Sequence, residues 1–225
     1  MYKLKYILLV NILVAFIALG FNNIHTEMQK GKSQPNISSK EENSSNGEQK
    51  EVKQINAQVK GYTFEESVKE AELIARVKIN STGGEVGGNL PKTIFDSTVQ
   101  EIYKGKNSLN GKGSIKILQA GTDEVVVNNI EPFQKGDELL LFLNEARNKD
   151  NTYWILGEYS NYYEVKDNEI VKKNFASESL KDISKEVKKK EISIQGLNKE
   201  VEKVQQHFEK DTFIIELKKE IKKQQ

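Results

Sequence analysis

Ile130-Glu131-Pro132-Phe133-Gln134-Lys135-Gly136-Asp137-Glu138-Leu139-Leu140-Leu141-Phe142-Leu143-Asn144 sets a proline and a Lys-Gly-Asp turn in front of an unbroken apolar run, residues 139–143. Five apolar residues are too few for a helix and too many for a strand with one wet face. The run therefore predicts the central strand of a buried sheet.

Other segments on either side are able to pair with it. Upstream, residues 72–80 alternate apolar and polar, residues 93–103 read as a second strand, and 113–119 as a third. The pairs Gly83-Gly84 and Gly87-Gly88 read as the loop between the first two. A short strand is expected at 125–127. Downstream, 152–157 surrounds the single tryptophan, Trp154, and 162–165 with 169–171 forms a hairpin over Lys166-Asp167-Asn168. A short helix over 64–71 precedes them all. Thr63 and Glu66 stand three apart as in a capping box, and Phe64, Val68 and Ala71 share a face. Short strands at this spacing with one leading helix predict a mainly β domain, a small Greek-key barrel of the OB type.

Composition bounds the rest. The chain has 225 residues, 36% hydrophobic and 30% charged, which is lean for one globule and predicts solvated segments outside any core. Its 34 basic and 33 acidic groups leave a net charge of +1, so no cationic field exists to displace the counterions of nucleic acid. Cysteine is absent, which excludes disulfides, thiol catalysis, thiolate metal sites and a lipid-bearing cysteine behind an export signal.

Lys3 and Lys5 precede an apolar run over 6–21 broken only by Asn11, with small residues at Ala18 and Gly20. Residues 1–24 thus read as a signal peptide or a membrane anchor, which predicts an extracytoplasmic location, secreted or tethered. Residues 25–60, rich in Ser, Asn, Gln, Lys and Glu and lacking any aromatic, read as a flexible polar linker. The barrel is then expected over 61–174.

Three phrases carry a family resemblance. They are Ser67-Val68-Lys69-Glu70-Ala71-Glu72-Leu73-Ile74-Ala75-Arg76-Val77, then Phe95 through Val99 to Ile102-Tyr103-Lys104-Gly105, then Pro132-Phe133-Gln134-Lys135-Gly136-Asp137 running into 138–143. Together they resemble the netrin-like domain of tissue inhibitors of metalloproteinases, whose phrases recur in exported bacterial proteins. The resemblance spans roughly residues 63–171 and implies an OB-type barrel and, by analogy, a protein-binding role. Inhibitors of that family chelate zinc through an N-terminal cysteine clamped by disulfides. With no cysteine here, that activity does not carry over.

Residues 175–225 read as a helical extension. A helix is expected over 179–190, and 191–195 as a last strand or connector. Leu197, Val201, Val204 and Phe208 then recur at helical spacing, as do Ile214, Leu217 and Ile221 behind a cap at Thr212. The stripe admits packing on the barrel, self-association of helices, or contact with a membrane surface or anionic polymer.

No constellation for catalysis, cofactor or metal emerges. His25 falls near the export segment, and His207, read as helical, has no second ligand at i+4. Gly83-Gly84-Glu85-Val86-Gly87-Gly88 precedes a strand, not the helix N-terminus that would hold phosphate. The acid pairs Glu65-Glu66, Asp123-Glu124 and Asp137-Glu138 fall at a helix first turn, a loop and a turn. The densest aromatic cluster, Tyr153, Trp154, Tyr159, Tyr162 and Tyr163, is the candidate anchor for a protein or a cell-surface polymer. The sequence therefore points to an exported or tethered non-catalytic binding protein. An enzyme acting on wall polymers and a structural protein that self-associates through its C-terminal helices stand as alternatives.

Overall fold

The computed structural model describes residues 52–105, 109, 113–147, 149–193 and 200–225. The segment read as signal peptide or anchor, 1–24, and most of the linker lie outside these residues.

Residues 138–143 do form the central strand, within β6 (Glu138–Glu145). One edge of β6 pairs along its length with β2 (Leu73–Val86), from Leu73↔Leu143 to Lys78↔Glu138. β2 pairs with β3 (Lys92–Lys104), β3 with β4 (Ser114–Ala120), and β4 runs parallel to β7 (Thr152–Ile155). β7 returns to β6 at Leu143↔Ile155, which closes a five-stranded ring. One parallel contact in an otherwise antiparallel closed ring is the Greek-key barrel of OB-like form expected from the sequence. Gly105, at the end of β3, has φ +83°, and a Cβ there would stand 2.0 Å from the Glu72 carbonyl oxygen. Only glycine lets the backbone pass so close.

The other edge of β6 is divided. Its second half meets β7, whereas Leu139, Leu140 and Leu141 pair with β8 (Tyr162–Lys166), which forms a hairpin with β9 (Glu169–Asn174). A sheet thus grows outward from the barrel wall, and both faces of β6 are covered. Leu139, Leu141 and Leu143 fill the barrel with Leu73, Val77, Phe95 and Ile117. Leu140 and Phe142 face a second core shared with Phe64 and Val68 of helix α1 (Phe64–Glu70). Burial on two sides explains the unbroken apolar run. The capping box is present: Thr63 Oγ1 accepts from the Glu66 amide at 3.2 Å, and Glu66 Oε2 accepts from the Thr63 amide at 2.8 Å.

Four expectations are corrected. First, the C-terminal region is not a run of helices. Residues 178–183 form a short 3-10 turn, and β10 (Ser184–Ser193) pairs with β11 (Glu200–Glu209), which pairs with β9 from Val204↔Asn174 to Glu209↔Glu169. The free edge of β9 supplies backbone partners that local helical spacing cannot outweigh. In a strand Val201 falls on the face opposite Val204 and Phe208, which breaks the helical stripe; Val201 and Val204 are half-buried and Phe208 is fully buried.

Second, α2 (Lys210–Lys223) is the only α-helix there among the described residues, and its cap is Glu209, not Thr212. The Glu209 carboxylate accepts from the Thr212 amide at 2.7 Å and from the Asp211 amide at 3.3 Å. Phe213, Leu217 and Ile221 pack into the second core, each burial contributing roughly 1.5–3 kcal/mol. Among the described residues beyond 174, β10 and β11 extend the sheet and α2 completes its core.

Third, the linker is structured before its expected end. β1 (Lys53–Ile55) runs parallel to β5 (Val125–Val127). Fourth, Gly83 and Gly84 belong to β2, where Thr82↔Phe95 and Gly84↔Ile94 continue the ladder, so the loop is reduced to residues 87–91. No described helix is long and apolar enough to cross a membrane.

Candidate functional site

Three separated segments meet at one mouth of the outward sheet. The strap from Val59 to Tyr62 enters α1, the turn from Gly157 to Asn161 follows β7, and Phe175 to Ser177 follow β9. They enclose a solvent-open pocket of about 300 Å³ lined by Tyr62, Tyr159, Lys172 and Phe175 among others. Each wall is held by specific bonds. Asn128 grips the chain just ahead of the strap at both backbone groups of Ala57, accepting from its amide and donating to its carbonyl, each at 2.9 Å. The same Nδ2 donates to the Tyr159 hydroxyl at 2.6 Å.

The Tyr159 ring stacks on Phe175, centroids 5.7 Å apart and 26° from parallel. Burial, with Glu158 adding to it, pushes the Tyr159 hydroxyl pKa up, and the Asn128 bond pulls against that. Gly157 turns the chain with φ +66°, and a Cβ there would meet Ser160 Oγ at 2.6 Å and the Tyr62 ring at 3.0 Å. Phe175 is 49% exposed, an unusual position for so large an apolar ring.

Lys172 is the unexpected member. It is 5% exposed, donates to the Ser160 carbonyl, and lies 4.9 Å from the centroid of the Tyr163 ring. Burial alone pushes its pKa down to about 8, with no carboxylate contributing. A buried ammonium without a counter-ion is costly. Nothing in its sequence context, Ile170-Val171-Lys172-Lys173, distinguishes it from a solvated strand lysine.

The five aromatics singled out from the sequence do not form one face. Tyr153 is fully buried inside the barrel, and Tyr162 meets Phe133 edge-on at 5.2 Å in the same core. Tyr163 is buried in the other core between Phe142 and Phe213. Trp154 is half-buried against that core. Tyr159 alone of the five lines the pocket. Sequence reasoning missed Tyr62, Lys172 and Phe175, which are joined only by the fold.

Two further arrangements bear on chemistry. A cleft of about 210 Å³ is lined by Glu131, Asp137, Glu164 and Lys173. Asp137 there accepts from the Gln134 amide at 2.8 Å. Burial pushes the Glu164 carboxyl up, but Lys173 at 3.3 Å and Lys166 at 3.0 Å outweigh it and hold the pKa below the usual value. On the outward sheet Glu169, Glu186 and His207 of three neighbouring strands each place a ligand atom within 4.8 Å of the others. His207 Nδ1 is 3.2 Å from the Glu169 carboxylate, yet both ring nitrogens are inaccessible and make no hydrogen bond. Three such groups are of a type that holds a divalent cation. Glu186, though, already carries Lys188 at 2.5 Å. Reading 200–209 as helix hid this cluster, because it arises across strands.

No protein-family model matches the chain, and no curated protein matches it.

Proposed function

We propose that the protein is an exported or membrane-tethered, non-catalytic binding protein of the cell surface, and that its partner is engaged in the pocket between Tyr62, Tyr159 and Phe175. The location rests on Lys3, Lys5 and the apolar run over 6–21. The binding role rests on one observation: an open pocket of about 300 Å³ whose rings are pre-positioned by hydrogen bonds and stacking. Rigid aromatic walls provide contact area at little entropic cost.

Ligand-detected NMR of the full chain against small aromatic and aliphatic compounds tests this. Binders that lose affinity in Phe175→Ala support the reading. Binders indifferent to Phe175→Ala and Tyr159→Ala, or none, overturn it. Fractionation of cells expressing the tagged full chain tests the location, and recovery in the cytoplasm overturns that part.

An enzyme on wall polymers is the second reading, favoured by the carboxylates of the 210 Å³ cleft. Hydrolysis by two carboxyls needs one held protonated near neutral pH. Glu164 is shifted the opposite way and Asp137 is committed to its turn, which leaves binding the better-supported role.

A further inference from the structure

We propose that the ligand of this pocket is a monocarboxylate with an apolar or aromatic body, its charge paired with Lys172 and its body packed against Tyr62, Tyr159 and Phe175. This rests on the binding role proposed above and narrows it to a class.

Charge decides the class. Among the described residues no Asp or Glu lines the pocket, whereas two ammonium groups do, Lys172 and Lys60. Lys60 sits at the rim, exposed, with its Nζ 4.4 Å from the centroid of the Tyr62 ring. Lys172 is buried, and the Ser160 carbonyl satisfies one of its three donors. A neutral ligand would bury this ammonium further without compensating it. An anion supplies the missing partner, in surroundings where a charge-assisted hydrogen bond is strong.

The donors accounted for favour an anion of one charge. Phosphate recognition draws on several amides or arginine forks. Here the Ser177 amide is spent on Gln206 at 2.7 Å, the Ser160 amide on the Gly157 carbonyl at 3.1 Å, and the Ser160 hydroxyl on that same carbonyl at 2.8 Å. No arginine among the described residues lines the pocket. One buried lysine with three rings around it fits a carboxylate on an apolar body, whether a free small acid or the C-terminus of a peptide ending in an aromatic residue.

Isothermal titration calorimetry of the full chain separates these outcomes. The probes are 3-phenylpropionate, its neutral amide, and the peptide Ala-Ala-Ala-Phe with a free or an amidated C-terminus. The expected result is that each acid binds at least tenfold more tightly than its amide, that Lys172→Met removes the difference, and that Phe175→Ala weakens acid and amide alike. Whether the small acid or the peptide binds more tightly identifies the source. Should Lys172→Met fail to fold, the wild-type chain still decides: acid binding at pH 8.5 must take up protons, read from the dependence of the enthalpy on buffer, and amide binding must not. Amides binding as well as acids, with no proton uptake, overturn the carboxylate and leave the pocket; no binding by any probe overturns both.

Discussion

Gln206 holds Ser177 by both of its backbone groups, accepting from the amide at 2.7 Å and donating to the carbonyl at 3.1 Å. Gln206 is 1% exposed and lies on β11, so the C-terminal strand pins the segment that carries Phe175. Gln206→Ala should cost about 1–2 kcal/mol in urea unfolding. It should also weaken any pocket ligand without touching it. Unchanged stability would mean that the wall is held by other contacts.

Lys172 predicts a pH dependence whose sign is fixed by its folded pKa of about 8, below the ordinary value of 10.5. Below pH 8 the amine is charged in both states and the folded state bears the full desolvation cost. Between pH 8 and 10 the folded state loses its proton first, so stability rises with pH. Lys203, also pushed down to about 8 by burial, adds a slope of the same sign. Above pH 10 the buried Tyr162 and Tyr163 hydroxyls, both pushed up chiefly by burial, reverse the trend. Lys172→Met should therefore be more stable than wild type at pH 7, by up to about 3 kcal/mol, with the gap closing toward pH 10. Denaturant titrations at four pH values would reveal it, and a constant gap would refute it.

His207 makes a contrasting case. Because neither ring nitrogen has a hydrogen bond, His207→Val should leave stability in EDTA unchanged or raise it by about 1 kcal/mol. A loss above about 1 kcal/mol in thermal melts would contradict this. A Tm raised by zinc in wild type but not in the variant would make Glu169, Glu186 and His207 ligands.

Gly105→Ala places a Cβ 2.0 Å from the Glu72 carbonyl oxygen at φ +83°. The barrel should lose about 2–3 kcal/mol, measurable by chemical denaturation. Near-neutral behaviour would show that β3 can shift at its end.

The sequence made the barrel legible wherever burial was one residue deep in meaning. Leu139 to Leu143 could only be a strand covered on both faces, and Thr63 with Glu66 announced α1. Strands β10 and β11 are hidden where Val201, Val204 and Phe208 fit a helical spacing, because the decisive partner, the free edge of β9, lies thirty residues or more away in the chain; only the strand expected at 191–195 hints at them. The pocket was invisible for a related reason. Tyr159 and Phe175 touch, but adjacent Tyr162 and Tyr163 point into different cores, so aromatic density along the chain did not report a shared face.

The second core continues past residue 174. A chain ending there would lack Phe208, Phe213, Leu217 and Ile221, which bury Phe142 and Tyr163. Such a truncation should be insoluble or bind a hydrophobic dye, while the full chain should not.

β6 contributes Leu139, Leu141 and Leu143 to one core and Leu140 and Phe142 to the other. Neither half can dissolve while its neighbour persists, since the same backbone would have to be ordered for one and disordered for the other. Heating should give a single calorimetric transition, and the amides of these four leucines and one phenylalanine should be the last in the molecule to trade hydrogen for deuterium.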